Sequence, residues 1–171
     1  MATDFTRERI LNADATTVSV GHYEGGVYNN YWVLIFSYPE NSHTENYRQE
    51  VLDLVNAQRA KYGLTALEMG DDDLTAAAQT RAEEIAVVNS HVRPDGSKCF
   101  TVLKDYGVTD TPTGENAAWG SVSPEEVVNA WMNSEGHRAN ILNPEARKMS
   151  VGYYYNSNST WGHQWIQIFT K

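Results

Sequence analysis

Two histidines and one glutamate in the second half of this 171-residue chain stand in local sequence that could support chemistry. His91 precedes a Pro-Asp-Gly turn, Glu115 lies within Gly-Glu-Asn, and His137 follows Gly136 in sequence typical of a helix start. Two imidazoles and a carboxylate brought together would form a metal site or a site of acid/base catalysis. Either histidine taken alone is also compatible with a structural role, so the prediction depends on the fold that joins them.

Two serines extend the range of chemistry that these segments could support. Ser90 precedes His91, and Ser134 with Glu135 stands just before His137. A serine, a histidine and a glutamate can together activate a nucleophile. The sequence has neither a Gly-x-Ser-x-Gly elbow nor the His-Glu-x-x-His motif of common zinc peptidases. A hydrolase built on these residues is nevertheless an alternative to a binding function.

Helices are predicted on both sides of the first histidine. Thr44 is predicted to cap a helix that stops at Gly63. The acidic run Asp71–Asp73 predicts the start of a second, alanine-rich helix that ends at Asn89-Ser90. A capping box with proline at the first helical position, Ser123-Pro124-Glu125-Glu126, predicts a further helix before the second histidine.

Strands are predicted mainly at the C-terminal end of the chain. A short helix is expected from Cys99 to Tyr106, a loop from Thr109 to Gly114, and a short strand from Asn116 to Gly120. Residues 149–155 and 164–170 are predicted to form two strands joined by a polar turn. Helices followed by antiparallel strands indicate an α+β domain with helices packed on a sheet.

Composition excludes several classes of partner. A net charge of −9 and a pI near 4.9 provide no basic surface for nucleic acid, and no apolar run reaches the length of a membrane helix. The single cysteine, Cys99, excludes an intrachain disulfide and is interpreted as a small buried hydrophobe. No signal peptide is visible at Met1–Phe5. The chain is therefore either intracellular or trimmed at its N-terminus, and the repeat described next favours trimming.

The two ends of the chain resemble each other when the sequence is shifted by 131 positions. Ser19-Val20-Gly21 then aligns with Ser150-Val151-Gly152, and, after a two-residue length difference, Trp32–Phe36 aligns with Trp165–Phe169. Such self-similarity is typical of a repeat. The alternative is a native hairpin extension whose likeness reflects generic strand composition. Such a hairpin could add strands to a sheet edge, mediate a dimer or swap with its C-terminal counterpart.

The segments Ser90–Gly96, Gly114–Gly120 and Asn133–Asn143, in this order and spacing, resemble the CAP superfamily of cysteine-rich secretory, antigen 5 and pathogenesis-related proteins. The resemblance is closest to the bacterial extracellular branch and covers about residues 45–171. It implies a three-layer α-β-α sandwich with a central antiparallel sheet, extended here by an N-terminal β-hairpin. On this reading residues 1–38 are the C-terminal remnant of an upstream CAP-like unit, and residues 39–44 are a linker.

The resemblance also implies a site. In the family the two histidines line a central cavity and can hold a divalent metal, often Zn²⁺, which assigns His91 and His137 as metal ligands. Glu115 matches the acidic residue beside that cavity, where it would orient an imidazole, act as a base on metal-bound water, or hold loop amides. Eukaryotic members place a further glutamate three residues after the helix tryptophan. Here Ser134 occupies that position, so either it or Glu135 completes the cleft.

We therefore predict a secreted or surface-exposed CAP domain that acts as a binding or interaction module. Its partners would be a divalent cation, a small molecule such as a lipid, or a protein. A metal-assisted hydrolase acting on peptides or cell-wall material is the enzymatic alternative, and a spacer role in a tandem surface protein is a third.

Overall fold

The computed structural model describes residues 17–37 and 42–171. The chain forms two units, and the boundary between them in the sequence lies between Glu45 and Asn46. Residues 1–16 and 38 of the predicted upstream remnant and residues 39–41 of the predicted linker lie outside the described residues. The first unit holds strands β1 (Thr17–Glu24) and β2 (Asn30–Ser37). The following elements are helix α1 (Ser42–Lys61), strand β3 (Glu68–Met69), helix α2 (Asp72–Val87), a 3₁₀ turn (Cys99–Thr101), helix α3 (Val102–Asp105), strand β4 (Pro112–Trp119), helices α4 (Pro124–Asn133) and α5 (Glu135–Ile141), and strands β5 (Lys148–Asn156) and β6 (Gly162–Thr170).

The first unit contains the predicted β-hairpin. Strands β1 and β2 pair antiparallel from Thr17 opposite Ser37 to Glu24 opposite Asn30. Their connection takes positive φ at Gly25, Gly26 and Asn29, which are residue types that adopt this conformation readily. The local sequence therefore fixes the turn of the hairpin.

The second unit is built on a four-stranded sheet with the strand order β3-β5-β6-β4. Strands β5, β6 and β4 are antiparallel, as predicted, whereas the two-residue strand β3 runs parallel to β5. Sequence analysis missed β3 because two residues carry no periodicity. Backbone bonds from Glu68 N to Arg147 O and from Gly70 N to Met149 O hold it in place.

Helices cover both faces of this sheet and give the three layers that the sequence predicted. On one face, helix α2 packs its alanine-rich side on Ile166 and Ile168 of β6. On the other face, α1, α4 and α5 pack on Val151, Trp165 and Phe169. Burial of both faces explains why β6 alternates less between apolar and polar residues than a strand with one solvated face.

Element boundaries differ from the prediction at two places. Helix α1 begins at Ser42, so the predicted cap at Thr44 is wrong, and part of the predicted linker is helical. Strand β4 begins at Pro112, within the predicted loop, because its pairing with β6 already starts there, opposite Thr170. Two predicted helix starts are confirmed: Asp71 accepts from Leu74 N at 2.9 Å, and Ser123 accepts from Glu126 N at 3.3 Å.

Candidate functional site

A buried ion pair forms the base of the candidate site. Arg81 lies on the apolar face of helix α2 with a fully buried side chain. Its Nε donates to Glu115 Oε2 at 3.0 Å, and its Nη2 donates to Glu115 Oε1 at 3.3 Å. Its Nη1 donates to Glu84 Oε2 at 2.6 Å. Because a buried charge is costly unless it is paired and hydrogen-bonded, this network fixes the position of the Glu115 carboxylate.

The Glu115 carboxylate orients the first predicted histidine. His91 Nδ1 donates to Glu115 Oε1 at 2.7 Å, which leaves Nε2 as the ring nitrogen available to a ligand. The backbone of the same loop is also held: Cys99 N donates to His91 O, and Arg81 Nη2 donates to Ser90 O. The His91 side chain is 54% exposed, so its ring is fixed on one edge and accessible elsewhere.

The charges of this cluster support one another. The hydrogen bond to Glu115 raises the pKa of His91, although burial acts in the opposite direction. Burial raises the pKa of Glu115, but hydrogen bonds from His91 and Arg81 outweigh it and hold that pKa below its ordinary value. Glu115 is therefore an ionised, fully engaged carboxylate rather than a free base.

The second predicted histidine reaches the same region through the link between β4 and α5. Asn116 Nδ2 donates to His137 O at 3.1 Å, and Asn140 Nδ2 donates to Glu115 O at 3.2 Å. A Cβ at Gly114 would lie 2.6 Å from Asn140 Oδ1, so this link requires glycine before Glu115.

Burial lowers the pKa of His137, and the positive charge of His91 lowers it further. The two imidazoles are therefore electrostatic neighbours.

Among the described residues, the side chains of Ser134 and Glu135 form no hydrogen bond or ion pair with either histidine. Ser134 closes helix α4, where its backbone N–H donates to Trp131 O, and it begins α5 without a side-chain capping bond. Glu135 is exposed in the first turn of α5. Within the described part of the chain, no hydrogen bond or ion pair joins either side chain to the His91–Glu115 pair.

The donor set suits a metal only in a limited way. In residues 17–37 and 42–171, no group of three His, Cys, Asp or Glu side chains converges with the geometry of a metal site. Both oxygens of Glu115 are already occupied by Arg81 and His91. The side chains left for a metal would be the imidazoles of His91 and His137, and Glu115 would then orient His91 through its Nδ1–H.

Arg81 falls within the predicted second helix, but sequence analysis gave it no role in the site. The available signal was a basic residue at helical spacing among apolar ones, because Arg81 shares a face with Leu74, Ala78 and Ile85. Arginine is almost never fully buried unless it is paired, so this position predicts a buried carboxylate partner. Asn116 and Asn140 carried no comparable signal, since their partners lie on other elements.

A separate concavity of about 410 Å³ lies between the 3₁₀ turn with helix α3 and the start of β4. Its wall is mainly apolar and includes Lys98, Phe100, Leu103, Lys104, Val108 and Pro112. Neither histidine of the candidate site lines it. This concavity is therefore distinct from the candidate histidine site.

Among the described helices, none is long and apolar enough to cross a membrane. A three-layer α-β-α sandwich with a histidine pair beside a Gly-Glu-Asn strand defines a recognisable class of domain. Residues 52–169 match the CAP family, described as the Cysteine-rich secretory protein family. The chain belongs to this family.

Relatives of known sequence come from bacteria and plants. An uncharacterized Bacillus subtilis protein, YkwD, is 42% identical over 122 residues, which cover 70% of this chain and 47% of the relative. Pathogenesis-related protein 1C from Nicotiana tabacum is 30% identical over 124 residues, which cover 71% of this chain and 63% of the relative. In both cases the match covers less than two thirds of the relative's length.

Solved structures show the same fold. An extracellular protein containing a SCP domain from Bacillus anthracis matches with a TM-score of 0.66 and 25% identity, over 82% of this chain and 47% of that chain. An outer surface protein from Borrelia burgdorferi matches with a TM-score of 0.61 and 24% identity, over 78% of this chain and 96% of that chain. The second likeness shows the fold alone. The named neighbours are extracellular or surface proteins.

Proposed function

We propose that this chain is an extracellular or cell-surface binding module whose His91–His137 cleft binds a divalent transition metal such as Zn²⁺. The observation that carries the proposal is the contact between His91 Nδ1 and Glu115 Oε1 at 2.7 Å. A histidine that donates one ring N–H to a carboxylate has a fixed tautomer and a more basic second nitrogen, as metal-binding histidines typically do.

Each residue of the site would have a defined part. Arg81 holds Glu115, and Glu115 holds the His91 ring so that Nε2 faces a ligand. His137, whose pKa is lowered by burial, supplies a second imidazole that is neutral near pH 7. A bound divalent ion would supply Lewis acidity and open coordination positions for a further ligand. Two imidazoles give a weaker site than three or four firm ligands.

Calorimetry of chelator-treated protein with zinc chloride tests this proposal. The chain has five histidines, so the double variant His91→Ala/His137→Ala can be matched by His22→Ala/His163→Ala, which also removes two imidazoles. We expect one-to-one binding that the control variant keeps and the site variant loses. Absence of saturation at about 1 mM zinc, or equal binding by both variants, would overturn the proposal.

Binding fits the observed cluster better than hydrolysis does. A metal-assisted hydrolase would need a free base, whereas both oxygens of Glu115 accept bonds from Arg81 and His91. Ser90 Oγ already accepts from Val92 N at 3.0 Å. These contacts favour a binding module. Turnover of a peptide or cell-wall substrate that the site variant abolishes would establish the enzyme instead.

The apolar concavity supports a second ligand for the same module. Its volume and its wall of Phe100, Leu103 and Val108 suit an apolar chain, and Lys98 and Lys104 suit an anionic head group. A fluorescent fatty acid is a suitable probe. We expect saturable binding that is weakened by Phe100→Ser and unaffected by His91→Ala/His137→Ala. Binding insensitive to Phe100→Ser would remove this part of the proposal.

A further inference from the structure

The N-terminal hairpin β1–β2 has the same cross-strand register as β5–β6, the C-terminal or closing hairpin of the CAP domain. Thr17 lies opposite Ser37 in the first hairpin, and their counterparts Lys148 and Thr170 lie opposite each other in the second. Corresponding residues differ in number by 131 in the first strand and by 133 in the second, along the whole hairpin. With these offsets, the cross-strand pair His22–Trp32 corresponds to the cross-strand pair Tyr153–Trp165. Ring centroids are 4.2 Å apart in the first pair and 4.5 Å apart in the second.

The burial of the two hairpins differs sharply although their pattern is the same. Trp165 and Ile168 are fully buried, whereas their counterparts Trp32 and Ile35 are 64% and 62% exposed. Exposed apolar residues on β1 and β2 alternate onto both faces of the hairpin, and they include Val18, Val20, Trp32, Val33, Leu34 and Ile35. A hairpin with one solvated face would alternate apolar and polar residues. This one has the composition of a sheet centre that is covered on both sides.

Gly21 indicates which face of the hairpin β1–β2 a helix would cover. In the CAP domain, a Cβ at Gly152 would overlap the backbone carbonyl of Ala78, so helix α2 requires glycine there. The counterpart in β1 is Gly21, where a Cβ would meet nothing closer than Val33 at 4.0 Å. Glycine weakens a strand interior unless another backbone approaches closely. The hairpin itself does not need Gly21, but a helix of the α2 type packed on it would.

We propose that β1–β2 is the closing hairpin of a second CAP unit, and that its occupant is a CAP-type segment with counterparts of helices α1 to α5 and strand β4. A helix of the α2 type would lie on Gly21, and a strand of the β4 type would pair with β2. A second copy of this chain is a poorer occupant, because its β4 and α2 already hold β5–β6. Exchange of the two hairpins would expose about as much apolar surface as it covers.

Complementation of the full chain tests this assignment. The probe is residues 42–147 of this same sequence, which hold every CAP element except the closing hairpin, co-expressed with the full chain. A second form joins the probe directly before Thr17, which raises its effective concentration. Hydrogen exchange of the amides in Thr17–Glu24 and Asn30–Ser37 is the measurement. We expect a one-to-one complex in which these amides become at least tenfold better protected.

Two variants make the outcome specific. Gly21→Val should leave the circular dichroism and Tm of the full chain unchanged but abolish the protection of the hairpin amides. Val27→Ala, in the turn, should leave the circular dichroism, the Tm and the protection unchanged. The proposal is overturned if the hairpin amides stay unprotected in the joined form, or if Gly21→Val leaves the protection intact. It is also overturned if the full chain alone forms a dimer that Trp32→Asp dissociates, because the occupant is then a second copy.

Discussion

The guanidinium of Arg81 and the carboxylate of Glu115 form a buried ion pair that joins helix α2 to strand β4 across 34 positions of sequence. Their side chains are 0% and 2% exposed, and their closest atoms are 3.0 Å apart. His91 is oriented only because this pair is in place. The stability of the domain and the geometry of its candidate site therefore depend on the same contact.

Arg81→Met is expected to destabilise the domain by about 3–5 kcal/mol, since it leaves the Glu115 charge buried without its main partner. Urea unfolding followed by tryptophan fluorescence measures this change. Arg147→Met is the matched control, because Arg147 is exposed and its side chain donates to the backbone carbonyls of Pro144 and Ala146. Its effect should stay within about 0.5 kcal/mol. Equal effects of the two substitutions would contradict the role of the buried pair.

The two histidines of the candidate site should titrate on opposite sides of the ordinary value of 6.5. The pKa of His91 is raised by its bond to Glu115, so its contribution to stability is fully present below pH 6.5 and is lost as pH rises through its folded pKa. The pKa of His137 is lowered by burial, so its contribution is present above pH 6.5 and is lost as pH falls through its folded pKa. NMR titration of the metal-free protein measures both values.

His91→Ala separates the causes of these shifts. It should raise the pKa of His137 towards its ordinary value, because it removes the neighbouring positive charge but not the burial. The free energy of unfolding lost in His91→Ala should be largest near pH 5 and should shrink towards pH 9, because the raised pKa of His91 stabilises the fold only while the ring is protonated. An unchanged pKa of His137 in this variant would mean that the imidazoles are not electrostatic neighbours.

Gly152→Ala should destabilise the domain by at least about 1–3 kcal/mol, because its Cβ would overlap backbone atoms of Ala78 and Gln79 that cannot move as a side chain can. Gly136→Ala is the control. A Cβ there meets nothing within 4 Å, and alanine favours the helix by about 0.5–1 kcal/mol. Thermal unfolding of both variants should therefore shift in opposite directions, and a neutral Gly152→Ala would refute the close packing of α2 on β5.

Cys99 should react slowly in the folded protein. Burial raises the pKa of its thiol to about 11, and the nearby Glu115 charge acts in the same direction. At pH 8 the thiolate fraction should be about a hundredfold lower than in the unfolded chain, and access is restricted as well. Mass spectrometry after iodoacetamide treatment, with and without denaturant, measures the ratio. Fast labelling of the native protein would show that the thiol is not protected.

Two buried tryptophans offer a test of hydrogen bonding in the core. Trp165 Nε1 donates to Ser121 O at 2.7 Å, whereas Trp131 Nε1 has no partner among the described residues. Trp165→Phe should therefore cost about 1 kcal/mol more than Trp131→Phe, since only the former loses a hydrogen bond and leaves a carbonyl unpaired. Urea unfolding of both variants provides the comparison, and the reverse order would contradict it.

Local signals in the sequence determined most of the fold. Asp71 and Ser123 start their helices because their side chains accept backbone N–H groups a few residues away, and such contacts can be read from neighbouring residues. The three motifs, taken in order, also indicated the family and the two histidines. Short-range chemistry suffices for these features.

Only the tertiary structure decided how the site is built. Arg81, Glu115 and His91 come from a helix, a strand and a loop, and the burial that makes their contacts strong exists only after the sheet has formed. Glu135 was also a candidate for the cleft in sequence, yet it lies exposed on α5 while Glu115 is buried. The sequence determined which residues could act together, and packing decided which of them share a low-dielectric environment and therefore interact.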